Sequence, residues 1–341
     1  MSSKGTPWAL LAIASTTFLV AAATQACEIC AIYTSTEMQE SRLGIRAGIA
    51  EQFTRFATLQ QNGEEVDNPH HERLESSITQ LLLGYTAHPR LALQLNVPLI
   101  HRSYRRQETS GTVSGSVSGV GDIVVSALAT PWSHVRPESV QRWTLLLGIK
   151  LPTGDAGRLR EELAEEMEAD HDSLIALPFR SRWVPRHSEH GTESGVHGHD
   201  LALGTGSTDV LLGTQALATY HRWYATALIQ YFVRTEGAFD YTFANELIVQ
   251  GGPGYFLWLS HRAALGLQGL LTLDTKGTDS QAGRRLGDTG ATYLYAGPAL
   301  HWTWQTRLSA DLAADLPAVR NNTDLQIVPD YRLRAGFVWR F

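Results

Sequence analysis

The sequence predicts an all-β transmembrane fold, an antiparallel up-and-down β-barrel of about twelve strands behind a cleaved signal peptide. Three observations carry this expectation. The chain opens on a basic residue and an apolar run, its remainder alternates with period two over segments too long for soluble strands, and it ends on a phenylalanine.

The N-terminus comes first. Lys4 supplies the basic start, Trp8 to Ala23 form the apolar run, and Thr24-Gln25-Ala26 place small residues where a signal peptidase reads. Residues 1–26 therefore read as a secretory signal peptide, too short and wrongly flanked for a stable span. Residues 27–42 follow as a periplasmic segment, and 43–341 as the barrel. No later stretch is apolar enough for a transmembrane helix. The formal net charge of −6 argues against nucleic acid as a partner. Two cysteines exclude a disulfide scaffold. Cys27-x-x-Cys30 has four readings: a local disulfide, favoured by export; a soft-metal site shared with a periplasmic partner; lipidation at Cys27; and haem attachment, for which Ala31 stands where a His is required.

The strands follow. Residues 91–102 put Leu91, Leu93, Leu95, Val97 and Leu99 on one face, and Ala92, Gln94, Asn96 and Pro98 on the other. Such runs fall at 43–58, 74–87, 90–102, 119–132, 140–152, 205–219, 222–235, 244–257, 260–273, 290–303, 304–315 and 330–341. Soluble strands average about 5 or 6 residues, whereas a tilted membrane strand needs about 9 to 11. The links alternate. Short ones fall at 88–89, 133–139, 221, 260 and the 303/304 join; long ones at 59–73, 103–118, 153–204, 236–243, 274–289 and 316–329. Short periplasmic turns alternating with long external loops are the form of an even-stranded membrane barrel. Trp132, Trp143, Trp223, Tyr224, Trp258, Trp302, Trp304 and Trp339 cluster near strand ends as aromatic girdles. The terminal Phe341, preceded by aromatics at alternate positions, resembles the signal read by the bacterial outer-membrane insertion machinery.

Three glycine motifs punctuate the strands: Gly119-Val120-Gly121-Asp122-Ile123, Lys150-Leu151-Pro152-Thr153-Gly154-Asp155, and Gly204-Thr205-Gly206-Ser207-Thr208-Asp209. In this order they resemble the outer-membrane transporter family named for the meta-pathway of phenol degradation, over roughly 119–341. The resemblance implies a barrel distantly similar to the long-chain fatty-acid channel, and a role in passage of small, often hydrophobic molecules. Read physically, the glycines permit positive φ and close backbone approach, and Asp122, Asp155 and Asp209 are placed to cap turns.

The long loop 153–204 is acidic in its first half and helical in composition over 158–170. Its second half holds His187, His190, His197 and His199, spaced so that each pair could share zinc, copper or nickel. Glycines around them favour instead a solvated loop with incidental metal affinity. No cofactor is required by this reading; Zn or Cu at the His-rich loop is the alternative. Pore-lining candidates are Arg46, Lys150, Arg234, Glu246, Arg307, Asp311, Arg332 and Arg334, with Glu51, Asp315 and Arg340 placed on the same inner face. Mixed signs serve internal salt bridges as well as selectivity. Ser260 and His261 are neighbours on a strand and point to opposite faces, so they form no catalytic pair, and no enzyme is expected.

The expectation is a passive outer-membrane channel for small, hydrophobic or aromatic molecules. Its partners are outer-membrane lipid, the insertion machinery and a small-molecule substrate. The competing readings are a metal-related outer-membrane protein, using the His loop and Cys pair, and a structural or adhesive barrel.

Overall fold

Alternation dictates the wall. In the computed structural model, which describes residues 43–108, 111–162, 194–305 and 307–341, apolar side chains turn outward and polar ones inward. Cys27, Cys30, His187 and His190 lie outside these described residues.

The chain begins with β1 (Gly44–Gln61), the short β2 (Glu64–Val66), β3 (Arg73–His88) and β4 (Leu91–Glu108). It doubles back as β5 (Gly111–Val120) and continues through β6 (Ile123–Arg136), β7 (Ser139–Leu151), β8 (Asp209–Tyr220) and β9 (Trp223–Val233). After β10 (Tyr241–Thr242) come β11 (Glu246–Leu259) and β12 (Ala263–Lys276). After β13 (Ser280–Gln281) and β14 (Arg284–Arg285) come β15 (Ala291–Trp304), β16 (Leu308–Asn322) and β17 (Leu325–Arg340). All but β2, β5, β10, β13 and β14 form a wall of 12 strands, each antiparallel to the next. β17 then closes on β1, from Arg46↔Arg340 to Gln61↔Leu325. Closure joins the last strand to the first, as lipid demands of backbone N–H and C=O groups along most of the wall.

Ile49, Leu83, Leu93, Leu147, Leu212 and Leu271 are exposed on the outer face, while Gln52, Gln80, Asn96, Gln230 and Gln268 are buried inside. This inversion of a soluble protein places the barrel in the bacterial outer membrane, with a lipid-facing apolar band. No described helix is long and apolar enough to cross a membrane. Trp132, Trp143, Trp223, Trp258, Trp302, Trp304 and Trp339 are all exposed near the short-turn end, as a girdle requires. Tyr224 departs from that expectation. It is 3% exposed, and its ring fills the space left by Gly254 and Gly266 on neighbouring strands.

Several boundaries differ from the sequence reading. The expected loop 103–118 is a β-hairpin: β4 runs on to Glu108 and pairs with β5 from Leu99↔Val120 to Glu108↔Gly111. Below it, β4 pairs with β6 over Leu91–Asn96. The expected loop 316–329 is also strand, turned only at Thr323 and Asp324, where Asp324 takes φ 52°. The strands expected to meet at 303/304 are separate: β15 ends at Trp304, β16 begins at Leu308, and Gln305 between them takes φ 49°. Glu51 belongs to the outer face, not the lumen. Gln52 beside it is buried inside, and Glu51 accepts hydrogen bonds from the outward hydroxyls of Ser77 and Thr79.

Candidate functional site: a corked lumen

At the long-loop ends of six successive strands stands one ionisable side chain each. Their signs alternate: Asp122 before β6, Lys150 on β7, Asp209 on β8, Arg234 after β9, Glu246 on β11 and Lys276 on β12. All are buried. Lys150 Nζ lies 2.7 Å from Asp122 Oδ2 and 2.8 Å from Asp209 Oδ2. Arg234 donates to Asp209 Oδ2 at 2.9 Å and to Glu246 Oε2 at 2.7 Å. Lys276 donates at 2.7 Å to Asp279 Oδ2, which also accepts from the Tyr241 hydroxyl at 2.6 Å. The belt compensates buried charge by shared partners, without which desolvation would dominate.

The belt also holds loops. Asp122 Oδ2 accepts the backbone N–H of Thr205 at 2.9 Å and its hydroxyl at 2.8 Å, and Asp122 Oδ1 accepts Gly154 N–H at 2.9 Å. Asp209 Oδ1 accepts Thr235 N–H at 3.0 Å. Asp122 and Asp209 thus stitch separate loops together, whereas Asp155 caps its own turn by accepting Gly157 N–H at 2.8 Å. Gly154 and Gly204 explain why these motifs need glycine. A Cβ on Gly204 would stand 2.5 Å from the Gly154 carbonyl carbon, so only glycine permits the two motifs to touch.

Between these anchors, residues 194–207 fold inward as a cork. Glu72 accepts Ser194 Oγ at 2.9 Å and Gly195 N–H at 2.8 Å, and Ile327 N–H on β17 donates to Gly195 O at 2.9 Å. Val196 and Leu201 pack among Phe56, Leu74, Tyr104 and Ile327. Leu203 packs on Ile78 and Ile100. Arg102, reaching from β4, donates to the carbonyl oxygens of Asp200 and Ala202. Leu159 and Ala202 join Leu211, Phe232, Tyr241 and Phe243 in an apolar core within the external half of the barrel.

His197 and His199 meet at this cork. Their rings stack at 5.4 Å, 10° apart. Glu162 Oε1 receives the His199 backbone N–H at 2.7 Å and lies 3.0 Å from His199 Nδ1. Asp288 Oδ2 lies 3.2 Å from His197 Nδ1. Burial alone would lower the His199 pKa, but Asp200 and Glu162 outweigh it and raise it to about 10. Burial alone would raise Glu162, but His199 and His197 lower it to about 2. Among the described residues no group of three or more His, Cys, Asp and Glu side chains is arranged to hold a metal ion.

Of the other expected lumen residues, Arg332 and Arg334 share Asp315, with Nε–Oδ2 distances of 3.0 and 2.9 Å. Arg332 also lies 4.1 Å over the Tyr295 ring. Asp311 is half-buried on the same face of β16 as Asp315. Arg46, Arg307 and Arg340 line a cavity of about 420 Å³ at the short-turn end. Lys276 and Asp279 were not anticipated, although sign alternation at strand ends was there to be read.

One seam interrupts the wall. β16 and β17 pair from Leu308↔Trp339 to Asp315↔Arg332 and no further. Beyond that level β16 pairs with β15, up to Ala291↔Asn322, and β17 pairs with β1. Tyr293, Tyr295 and Val328 cluster on the inner side of the seam, and Leu316 and Val319 are exposed outside. Arg320 bridges it, 3.7 Å from Asp330.

Comparison with solved structures supports the architecture. An outer membrane channel from Pseudomonas putida F1 is similar with a TM-score of 0.59 and 15% identity, covering 90% of this chain and 98% of that one. The β domain of the Bordetella autotransporter BrkA gives a TM-score of 0.44 at 9% identity, covering 88% and 100%. The P. putida toluene transporter TodX gives 0.34 at 10%, covering 87% and 90%. No family model matches the chain, and no curated protein does. The likeness to the Pseudomonas putida F1 channel is one of fold, an outer-membrane barrel, and does not reach the phenol-pathway family.

Proposed function

We propose that this barrel is a passive channel for small apolar molecules, aromatic ones among them, and that they cross the wall at the β16–β17 seam. The observation that carries this reading is the ladder that ends at Asp315↔Arg332 although both strands continue. Pro317 and Pro329, one on each diverging segment, lack the N–H a ladder needs. The seam's inner lining includes Tyr293, Tyr295 and Val328 and its outer rim Leu316 and Val319, so it offers an apolar solute a largely apolar surface. The polar lumen and the cork favour a lateral path over a straight one. His197 and His199 are committed to the carboxylates of Asp288 and Glu162, which supports a structural role for them above metal capture. No catalytic constellation is proposed.

The test is a disulfide at the first unzipped pair, Leu316→Cys with Tyr331→Cys. Liposomes carrying the oxidised protein should take up an apolar aromatic solute poorly, and reduction should restore uptake. Equal uptake in both states would remove the lateral route, and the absence of uptake in the unmodified protein would remove the channel.

A further inference from the structure

The outer face of the wall carries an apolar band, and on one side a polar streak runs into it. The streak crosses three neighbouring strands: Glu51 and Arg55 on β1, Glu75, Ser77 and Thr79 on β3, and Ser103 on β4. Gln52, Thr54, Ser76, Ile78 and Arg102 beside them are buried inside, so by alternation these six side chains face out. Glu51 reaches deepest. Its ladder partners are Ala335 on β17 and Thr79 on β3. The outward rows next to it hold Phe337, Ile49 and Leu81 on the short-turn side, and Leu333 and Phe53 on the other. Ile49, Leu81, Leu333 and Phe337 are exposed, so Glu51 stands within the lipid-facing band and not at its rim. Farther round, on β7, Trp143, Leu145, Leu147, Ile149 and Leu151 face out with no such break.

The streak is built. Glu51 Oε1 accepts the Ser77 hydroxyl, and Glu51 Oε2 accepts the Thr79 hydroxyl at 2.5 Å. Towards the long loops, Arg55 Nη1 lies 3.6 Å from Glu75 Oε1, and Ser103 Oγ donates to Glu75 Oε2 at 3.5 Å. A carboxylate accepts about four hydrogen bonds, and the two hydroxyls fill half of that capacity. Hydrocarbon offers no donor for the rest, and lipid headgroups lie beyond the band. An ionisable group at this depth is costly and marks contact with something other than lipid tails. The fitting surface brings hydroxyls, both signs of charge and apolar flanks to one height in the membrane. The streak is itself such a surface. A two-fold axis along the membrane normal, between β1 and β3, sets Glu51, Ser77 and Thr79 of one copy against the same three of the other. It also carries Arg55 towards the partner's Glu75, as an isologous contact requires.

We propose that this streak is the contact face for a second copy of the chain, two barrels meeting β1–β3 to β1–β3 within the membrane. The contact is independent of the seam and stands whether or not apolar solutes use it.

Oxidative cross-linking of the full chain in phospholipid liposomes tests it. A background of Cys27→Ser with Cys30→Ser lets only an introduced thiol report. Ile49→Cys, beside the axis, should give a disulfide-linked dimer, and Leu147→Cys on β7 should not. Dilution with lipid then reads the strength of association from the cross-linked fraction. Glu51→Leu combined with Ser77→Ala and Thr79→Ala should weaken association about tenfold, the size of one polar contact between membrane segments. If that variant does not fold into a heat-resistant barrel, Ala335→Trp serves in its place, since it adds bulk beside Glu51 and leaves the hydrogen bonds intact. A monomer at every protein-to-lipid ratio would overturn the proposal. So would cross-linking from Leu147→Cys as strong as from Ile49→Cys, or unchanged association in the folded variant.

Discussion

Asp209 shows how much one side chain carries. Its carboxylate meets Lys150 and Arg234 and fixes the Thr235 backbone. Asp209→Asn leaves two buried cations short of a partner and should cost about 3–5 kcal/mol, the usual cost of breaking a buried pair from one side. The expected outcome is a clear drop in the temperature at which the heat-modified gel band appears, with a smaller drop for Asp155→Asn, which caps only its own turn. The His199–Glu162 pair makes a second residue-scale prediction, about pH. The folded pKa of His199 is raised to about 10 from its ordinary 6.5, so its contribution is complete below pH 6.5 and is lost as pH rises towards 10. Glu162 is lowered to about 2 from 4.5, so its contribution is complete above pH 4.5 and is lost as pH falls towards 2. The cork should therefore hold best between about pH 4.5 and 6.5 and loosen in alkali. Protection of the 194–203 amides from hydrogen exchange, corrected for intrinsic rates, reads this directly. Equal protection at pH 6 and pH 9.5 in wild type, or no effect of His199→Gln, would contradict it.

At the scale of elements, sequence and structure agree where alternation is strict and part where it is ambiguous. β7 and β9 read cleanly because Leu145, Leu147 and Ile149, or Ile229 and Tyr231, face lipid between polar or small neighbours. β5, with the sequence GTVSGSVSGV, looks like a loop because glycine and serine are turn residues. It is a strand because β4 offers it an edge. The expected strands 304–315 and 330–341 stop short of β16 and β17, because beyond Asp315 and Arg332 each strand continues on its other neighbour alone. Glu51 misled because a carboxylate in a barrel strand is expected inward, whereas the hydroxyls of Ser77 and Thr79 receive it outside. The three motif aspartates were legible as turn residues. Their partners were not, since Lys150 and Arg234 reach Asp209 only after strands far apart in sequence lie side by side.

For the whole molecule, the proposed reading has the cork and the seam separate two routes, one along the lumen and one through the wall. Arg102 holds the cork by two carbonyl oxygens, each charge-assisted bond worth about 1.5–3 kcal/mol. Arg102→Ala should free the cork and raise ion conductance in planar bilayers, while apolar uptake through the seam stays near its starting level. A rise in both together would mean that the two routes are one. Charge is also zoned along the axis, with balanced pairs at the external end and in mid-lumen, and arginines gathered at the periplasmic end.

The seam bears on how such a barrel is assembled. The last strand shares a long ladder with the first, from Arg46↔Arg340 to Gln61↔Leu325, but only the stretch from Leu308↔Trp339 to Asp315↔Arg332 with the strand that precedes it. Usually the join between chain ends is the late and fragile one, while consecutive strands zip as hairpins. Here the order of strength is reversed. Once β17 has found β1, the shortest ladder in the wall between these three strands lies inside its own final hairpin, so an assembling chain can be sealed end to end and still keep one stretch of wall unzipped.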